Sequence, residues 1–302
     1  MTSEPELFDI EDDGAWKDHL DDHGYVVIKE VLCKDKYYKV YEQFVRDWLY
    51  VSPEFSFADK ETWTLDRCPI WWEKGMVYSH GFGQSNFQWM LRTDKNIINI
   101  WERLHDTDEL VVSYDGFSVF LSSEQDPGMW LHVDQHYSDL RYSVQGAYNF
   151  LEVGEGDAGF IVVPGSHKTF NPDAECGREF LIADEDDPHV SRAVKLLIPK
   201  NCFVLWNSKT LHASVGMDES KGLEFNRLTS YITYFPKAER SEEVYGERIY
   251  GYYDGDNCSH YATRHDPKPP MYGFNSFRTL KPYLNESEDV SDDIPMDRLA
   301  LI

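Results

Sequence analysis

Cys202-Phe203-Val204-Leu205-Trp206 is followed by Asn207-Ser208-Lys209 and then by Thr210-Leu211-His212-Ala213-Ser214. The first five residues are apolar throughout, as a strand buried on both faces requires. Asn-Ser-Lys supplies turn chemistry. The chain then re-enters an extended segment in which His212 alternates with apolar neighbours. A strand, a tight turn and a second strand are therefore expected here, with a titratable ring on the second. The same texture recurs on both sides. Leu110–Ser113, Phe117–Ser122, Ser143–Glu152, Phe160–Val163, Val194–Ile198 and Leu228–Phe235 are short, β-branched and aromatic, and Gly, Pro, Asp and Asn separate them. Many short strands at this spacing predict a sandwich or barrel.

Upstream the period changes. Trp16 and Leu20 lie four apart on a short helix that Gly24 ends, and Tyr25-Val26-Val27-Ile28 follows as a strand. Tyr37, Val40, Tyr41, Phe44, Val45, Trp48 and Leu49 form a helical stripe that stops before Pro53. Ile97, Ile100, Trp101 and Leu104 form another. Helices first and strands after give an α+β, mainly β fold, with a β core braced by N-terminal helices. Between the two stripes, residues 54–92 carry Trp63, Trp71, Trp72, Tyr78, Phe82, Phe87 and Trp89 with Gly75, Gly81 and Gly83. So long an aromatic connection is either a satellite core or a lid and substrate wall.

The chemistry-bearing feature is Trp130-Leu131-His132-Val133-Asp134. In an extended segment residues two apart share a face, so His132 and Asp134 offer a nitrogen and an oxygen together. His-x-Asp alone is common in solvated loops. His212 adds the second imidazole, with a satisfied core histidine as its bland reading. Two His and one carboxylate form the facial triad of non-haem Fe(II) oxygenases, which leaves the opposite metal face open. Arg227 opens the strand that follows and can pair bidentately with a carboxylate, or simply with a neighbouring acid on the surface.

These residues together resemble the phytanoyl-CoA dioxygenase family of Fe(II)- and 2-oxoglutarate-dependent dioxygenases. The resemblance rests on His132-x-Asp134, Val163-Pro164-Gly165-Ser166-His167, Trp206 ahead of His212-Ala213-Ser214, and Arg227, with Gly24-Tyr25-Val26-Val27-Ile28 as the opening strand. It runs from about residue 14 to residue 236. It implies a double-stranded β-helix, a cupin-like jelly roll with Fe(II) held by His132, Asp134 and His212. It also implies that Arg227 and Ser214 bind 2-oxoglutarate, with Gln145 or Tyr148 facing the cosubstrate. His136 is expected beside the triad or against substrate, and His167 in a structural turn. The implied reaction uses O₂, hydroxylates an unactivated C–H of a small organic substrate and releases succinate and CO₂. Asp134 argues against halogenation, since related halogenases lack that carboxylate. The competing readings are a non-oxidative, metal-dependent jelly roll (a cupin-like hydrolase or isomerase) and a binding protein on a decayed oxygenase fold.

Residues 1–13 are expected to be loose, 14–282 to form one domain, and 283–302 to be an acidic tail. Within that domain, 35–105 is the helical and aromatic lid region, about 110–236 the jelly-roll core, and 237–282 a Tyr-rich extension. Trp71, Trp72 and Trp89 are the expected pocket aromatics. Among the 302 residues, 29 Lys and Arg face 54 Asp and Glu, a formal charge of −25. Such a chain repels phosphate backbones and anionic membranes. Neither nucleic acid nor membrane is an expected partner, and a small molecule is. Five scattered Cys without a CxxC pair, and an acidic N-terminus without an apolar run, fit a reducing, cytoplasmic setting.

Overall fold

The computed structural model describes residues 1–128, 130–172, 180–269, 277–280 and 294–302. In chain order its strands are β1 (Thr2–Ser3), β2 (Leu7–Phe8), β3 (Tyr25–Ile28), β4 (Met76–Val77), β5 (Leu110–Val112), β6 (Phe117–Ser122), β7 (His132–Val133), β8 (Val144–Asn149), β9 (Gly159–Val162), β10 (Leu181–Ile182), β11 (Val194–Leu196), β12 (Cys202–Asn207), β13 (His212–Val215), β14 (Leu223–Tyr231) and β15 (Tyr234–Pro236). The helices are α1 (Asp13–His23), α2 (Lys34–Val51), α3 (Asn86–Arg92), α4 (Lys95–His105), α5 (Glu242–Asp254) and α6 (Met296–Leu299). Where one domain is expected, the chain forms two compact units. The first comprises Met1–Val31, Glu73–Gly75 and Val119–Thr229, and the second Leu32–Trp72, Met76–Ser118 and Ser230–Ile302.

The first unit is the jelly roll. One sheet runs β1-β11-β9-β13-β7-β10, and the other places β2-β3-β12-β8-β14-β6 side by side. At the centre of the second sheet, β12 lies antiparallel between β3 and β8, with Val204 opposite both Val27 and Ala147. Period-two alternation sorts the side chains of this sheet. Gln145, Ala147, Asn149, Val204, Trp206, Arg227 and Thr229 keep between 3% and 6% exposure, whereas Tyr148, Phe150, Phe203, Leu205 and Leu228 are sealed at 0%. The first row faces the other sheet, and solvent reaches the space between them.

α1 ends as its sequence predicts. Gly24 adopts φ +77° and its N–H bonds to Leu20 O. The N-terminal residues are not loose. β1 pairs in parallel with β11 and β2 with β3, and Phe8 and Ile10 are buried. Backbone pairing to open strand edges offsets the ordering cost of this acidic segment, a gain that its composition does not reveal.

The second unit is helical and aromatic. Phe44 and Trp48 on α2 meet Phe55, Phe57, Phe82, Phe87 and Phe117 at ring separations of 5–6.5 Å, mostly edge-on or tilted. Burying each such ring stabilises the unit by roughly 1.5–3 kcal/mol. Asp94 caps α4 through the N–H groups of Asn96 and Ile97. The expected strand Leu228–Phe235 is interrupted: β14 ends at Tyr231, and Ser113 and Thr233 exchange bonds before β15 pairs with β5. The expected acidic tail lies mostly outside the described residues, but its last nine are ordered. Ile294, Leu301 and Ile302 are buried, and Arg248 Nε donates to Ile302 O at 3.1 Å. These three buried apolar side chains outweigh the charge that suggested a solvated tail.

Candidate metal centre

β7 and β13 are antiparallel neighbours in which His132 stands opposite His212. The alternation that puts His132 on the inner face sends Leu131 and Val133 to the other, into a cluster with Val163, Phe170, Leu181, Leu211 and Ala213. The turn before His212 is pinned by hydrogen bonds. Asn207 N and Thr210 Oγ1 both donate to Gly24 O, and Leu211 N donates to Ser166 Oγ. Asp134 N donates to Ser208 O at 2.9 Å, which ties the carboxylate to the same turn.

The three side chains converge. Asp134 Oδ2 lies 3.3 Å from His212 Nε2 and 3.8 Å from His132 Nε2, and the donor atoms all fall within 4.8 Å of one another. Among the described residues no other group of three His, Cys, Asp or Glu is so arranged. Each imidazole donates its Nδ1 hydrogen to a carbonyl two residues back, His132 to Trp130 O at 2.9 Å and His212 to Thr210 O at 2.8 Å. This fixes the tautomer and leaves both Nε2 lone pairs facing Asp134. Burial, then the nearby His212, lowers His132 to about 4, so its ring is neutral at pH 7. Two imidazole nitrogens and one carboxylate oxygen form a donor set for a divalent transition metal such as Fe(II) or Zn²⁺. Gln145 Nε2 donates to Asp134 Oδ2 at 2.9 Å and orients it.

Arg227 is buried between the sheets. Its Nη1 reaches Gly159 O on β9 at 2.8 Å, and its Nε reaches Thr229 Oγ1 at 3.1 Å. Gly159 pairs with Val215, three residues beyond His212, which puts the guanidinium roughly 10 Å along the strand from the triad. Ser214 shares the inner face with His212, and its carbonyl accepts from Trp130 Nε1 at 2.8 Å. Gln145 faces the triad, but Tyr148 does not. Three residues on, it falls on the opposite face of β8, where its hydroxyl donates to Asn201 Oδ1 at 2.7 Å. His136 is buried, bonded through Nδ1 to Ser138 Oγ, and stands outside the donor triad. His167 sits in a turn and bonds to Asp21 O.

The three tryptophans belong to the second unit. Trp71 is 42% exposed, with Tyr78 at 6.1 Å. Trp72 is half-buried. Trp89 is 1% exposed among Tyr114, Tyr252 and Gln84, surroundings that match the satellite core. Lys74 and Phe180, near the triad, carry no signal in the motifs. Trp130 stacks on His132 at 4.5 Å, and Lys74 lies 4.1 Å above the Trp130 ring. Phe180 flanks His132 at 4.8 Å.

The fold and the donor set define the class: a jelly-roll protein with a two-His, one-carboxylate triad. No protein-family profile matches the chain. "Ava biosynthesis cluster protein O" of Aspergillus versicolor is 29% identical over 262 residues, which cover 78% of this chain and 82% of that protein. The chain also resembles the non-heme alpha ketoglutarate dependent epimerase SnoN from nogalamycin biosynthesis, with TM-score 0.53, 16% identity, and 89% and 98% of the two chains covered. SnoN in complex with Fe3+, alpha ketoglutarate and nogalamycin RO aligns at TM-score 0.50, with 16% identity over 89% and 99% of the two chains. The GlcNAc-inducible gene 2 product of Candida albicans aligns at 0.51, with 14% identity over 76% of this chain and 65% of that one. These likenesses establish the fold.

Proposed function

We propose that the chain is an Fe(II)- and 2-oxoglutarate-dependent oxygenase that attacks an unactivated C–H bond of a small organic molecule in a biosynthetic sequence. The observation that carries this reading is the triad, whose two Nε2 atoms and Asp134 Oδ2 converge with both Nδ1 hydrogens bonded elsewhere. Support also comes from a biosynthesis-cluster relative and from a fold shared with an alpha ketoglutarate dependent enzyme. The free Cys33, Cys68, Cys202 and Cys258 agree with a reducing, cytoplasmic setting. No helix among the described residues is long and apolar enough to cross a membrane.

His132, Asp134 and His212 hold the metal, and Gln145 keeps the carboxylate aimed. Arg227 pairs with the distal carboxylate of 2-oxoglutarate, assisted by Ser214. Phe160 and Trp206 stand 5.9 Å and 5.3 Å from His212 and line that side with apolar rings. Held by these residues, Fe(II) with 2-oxoglutarate and O₂ would supply the oxidising power, with succinate and CO₂ as co-products. Hydroxylation is the proposed outcome. The likeness to an epimerase supports a second one, inversion of a stereocentre at the same C–H, which leaves the substrate's oxidation state unchanged and so needs two electrons from an added reductant such as ascorbate.

Succinate formation from 2-oxoglutarate with added Fe(II) tests the class, and its absence in the metal-loaded protein favours a hydrolase or isomerase. ¹⁸O₂ then separates the outcomes, since hydroxylation labels the product and inversion does not. Arg227→Ala is expected to weaken 2-oxoglutarate binding by about a hundredfold while metal affinity holds. Unchanged 2-oxoglutarate affinity would assign that carboxylate to another residue.

A further inference from the structure

The inner face of the first sheet does not stop at the metal ligands. β10 lies antiparallel to β7, and Ile182 stands directly opposite His132. Directly opposed residues share a face, so Ile182 borders the ligand on its open side. Phe180, two residues earlier on the same face, sets its ring 4.8 Å from the His132 ring at 42°. Leu181 between them turns the other way, into the core. Yet Phe180 is 46% exposed and Ile182 55%. Two large apolar side chains half in water beside a metal-ligand set form a surface made to be covered. Trp130, whose ring stacks on His132 at 4.5 Å, adds a third.

The charge around this surface is negative. Ile182 and Ala183 lead straight into Asp184, Glu185 and Asp186, all exposed. The described cations of this region already have hydrogen-bond partners. Lys74 donates to Pro127 O at 2.9 Å and covers Trp130, Arg141 is paired with Asp139, and Lys209 bonds to Tyr137 O at 3.2 Å. Among the described residues, a phosphate or sulfonate placed here would face three exposed carboxylates just beyond Ile182 in the chain, and each basic side chain named above already has a hydrogen-bond partner.

We propose that Phe180 and Ile182 form the substrate platform, and that the substrate is an apolar, ring-bearing small molecule without an anionic group, not an acyl thioester of coenzyme A. The inference rests on reading the triad as the reaction centre. It gives the face of β10 a role that the metal ligands alone do not specify: it selects the substrate by ring contact and rejects anions.

The test uses a matched pair of fluorescent probes that share one ring system, neutral N-phenyl-1-naphthylamine and its sulfonated counterpart 1-anilinonaphthalene-8-sulfonate. Both are titrated onto the full chain without Fe(II) or 2-oxoglutarate. Failure here therefore condemns the platform, whereas missing succinate in the preceding experiment condemns the triad reading. The neutral probe is expected to bind at least about tenfold more tightly than the sulfonate. Phe180→Ala/Ile182→Ala is expected to weaken neutral-probe binding about tenfold or more at an unchanged thermal midpoint, since both side chains are half-exposed. Tyr250→Ala, an exposed aromatic in the second unit, is expected to bind the probe as the parent does. Asp184→Asn/Glu185→Gln/Asp186→Asn is expected to narrow the gap between the probes. Equal binding of the two probes to the parent, or full neutral-probe binding by the Phe180/Ile182 variant, overturns the proposal.

Discussion

Asp134 is held from two sides, by its own N–H on Ser208 O and by Gln145 Nε2 on its Oδ2. A carboxylate fixed in this way loses little freedom when a cation arrives. Gln145→Leu keeps the volume and removes the donor. It is expected to lower affinity for Co(II), a spectroscopic stand-in for Fe(II), by about 10–100-fold with little change in thermal stability. Equal Co(II) affinity in parent and variant would mean that Gln145 does not orient the ligand. At this scale the ligands were legible, because His-x-Asp in an extended segment determines a shared face by itself. The choice between Gln145 and Tyr148 was not, because it depends on which face of β8 turns inward. Lys74 was equally invisible: nothing in its neighbours says that its ammonium ends above the ring stacked on a metal ligand.

The joint between α1 and β3 sets the register of the His212 strand. Gly24 accepts from Asn207 N and Thr210 Oγ1, and a Cβ at Gly24 would collide with His167 Nδ1 and Thr210 Oγ1. Its φ of +77° is also one that L side chains avoid. Gly24→Ala is therefore expected to cost at least about 2 kcal/mol, read as a lower denaturation midpoint, and to weaken metal binding because Thr210 leads into His212. Gly14, inside α1 with nothing near its Cβ direction, is the control. Gly14→Ala should be neutral or slightly stabilising. Equal effects at the two positions would refute the joint's role. The helix stop at Gly24 was readable from Trp16, Leu20 and the glycine. Its bond to a turn nearly two hundred residues away was not.

Across the whole chain, burial lowers the pKa of several histidines in the same direction. His80, His105 and His167 are all held below 6.5 chiefly by desolvation, as is His132, at about 4. Between pH 6.5 and their folded values, the unfolded chain binds protons that the folded chain refuses. The stability these groups contribute is thus complete above pH 6.5 and is lost as pH falls through their lowered values. The charge of −25 acts the other way, but carboxylates take up protons mainly below about pH 5. The thermal midpoint of the metal-free protein is expected to fall from pH 7 to pH 5. A flat or rising midpoint over that interval would show that relief of repulsion dominates. His105→Gln should reduce the slope, since its ring, bonded to Tyr234 O, no longer titrates.

The sequence by itself determined what depends on local period and side-chain chemistry. That includes the short strands of a jelly roll, the stripes of α2 and α4, and the three donors His132, Asp134 and His212. These follow from repeats of two and 3.6 residues and from residue type, which need no partner to be read. Only the tertiary structure decided what depends on a neighbour far along the chain. The N-terminal residues are ordered because open edges of β3 and β11 accept them. The final residues are ordered because buried Arg248 and Val112 receive them. Phe180 and Ile182 became part of the site only when β10 paired with β7 and set Ile182 opposite His132. Pairing between distant strands is chosen by the packing of the whole core, and no local pattern encodes it.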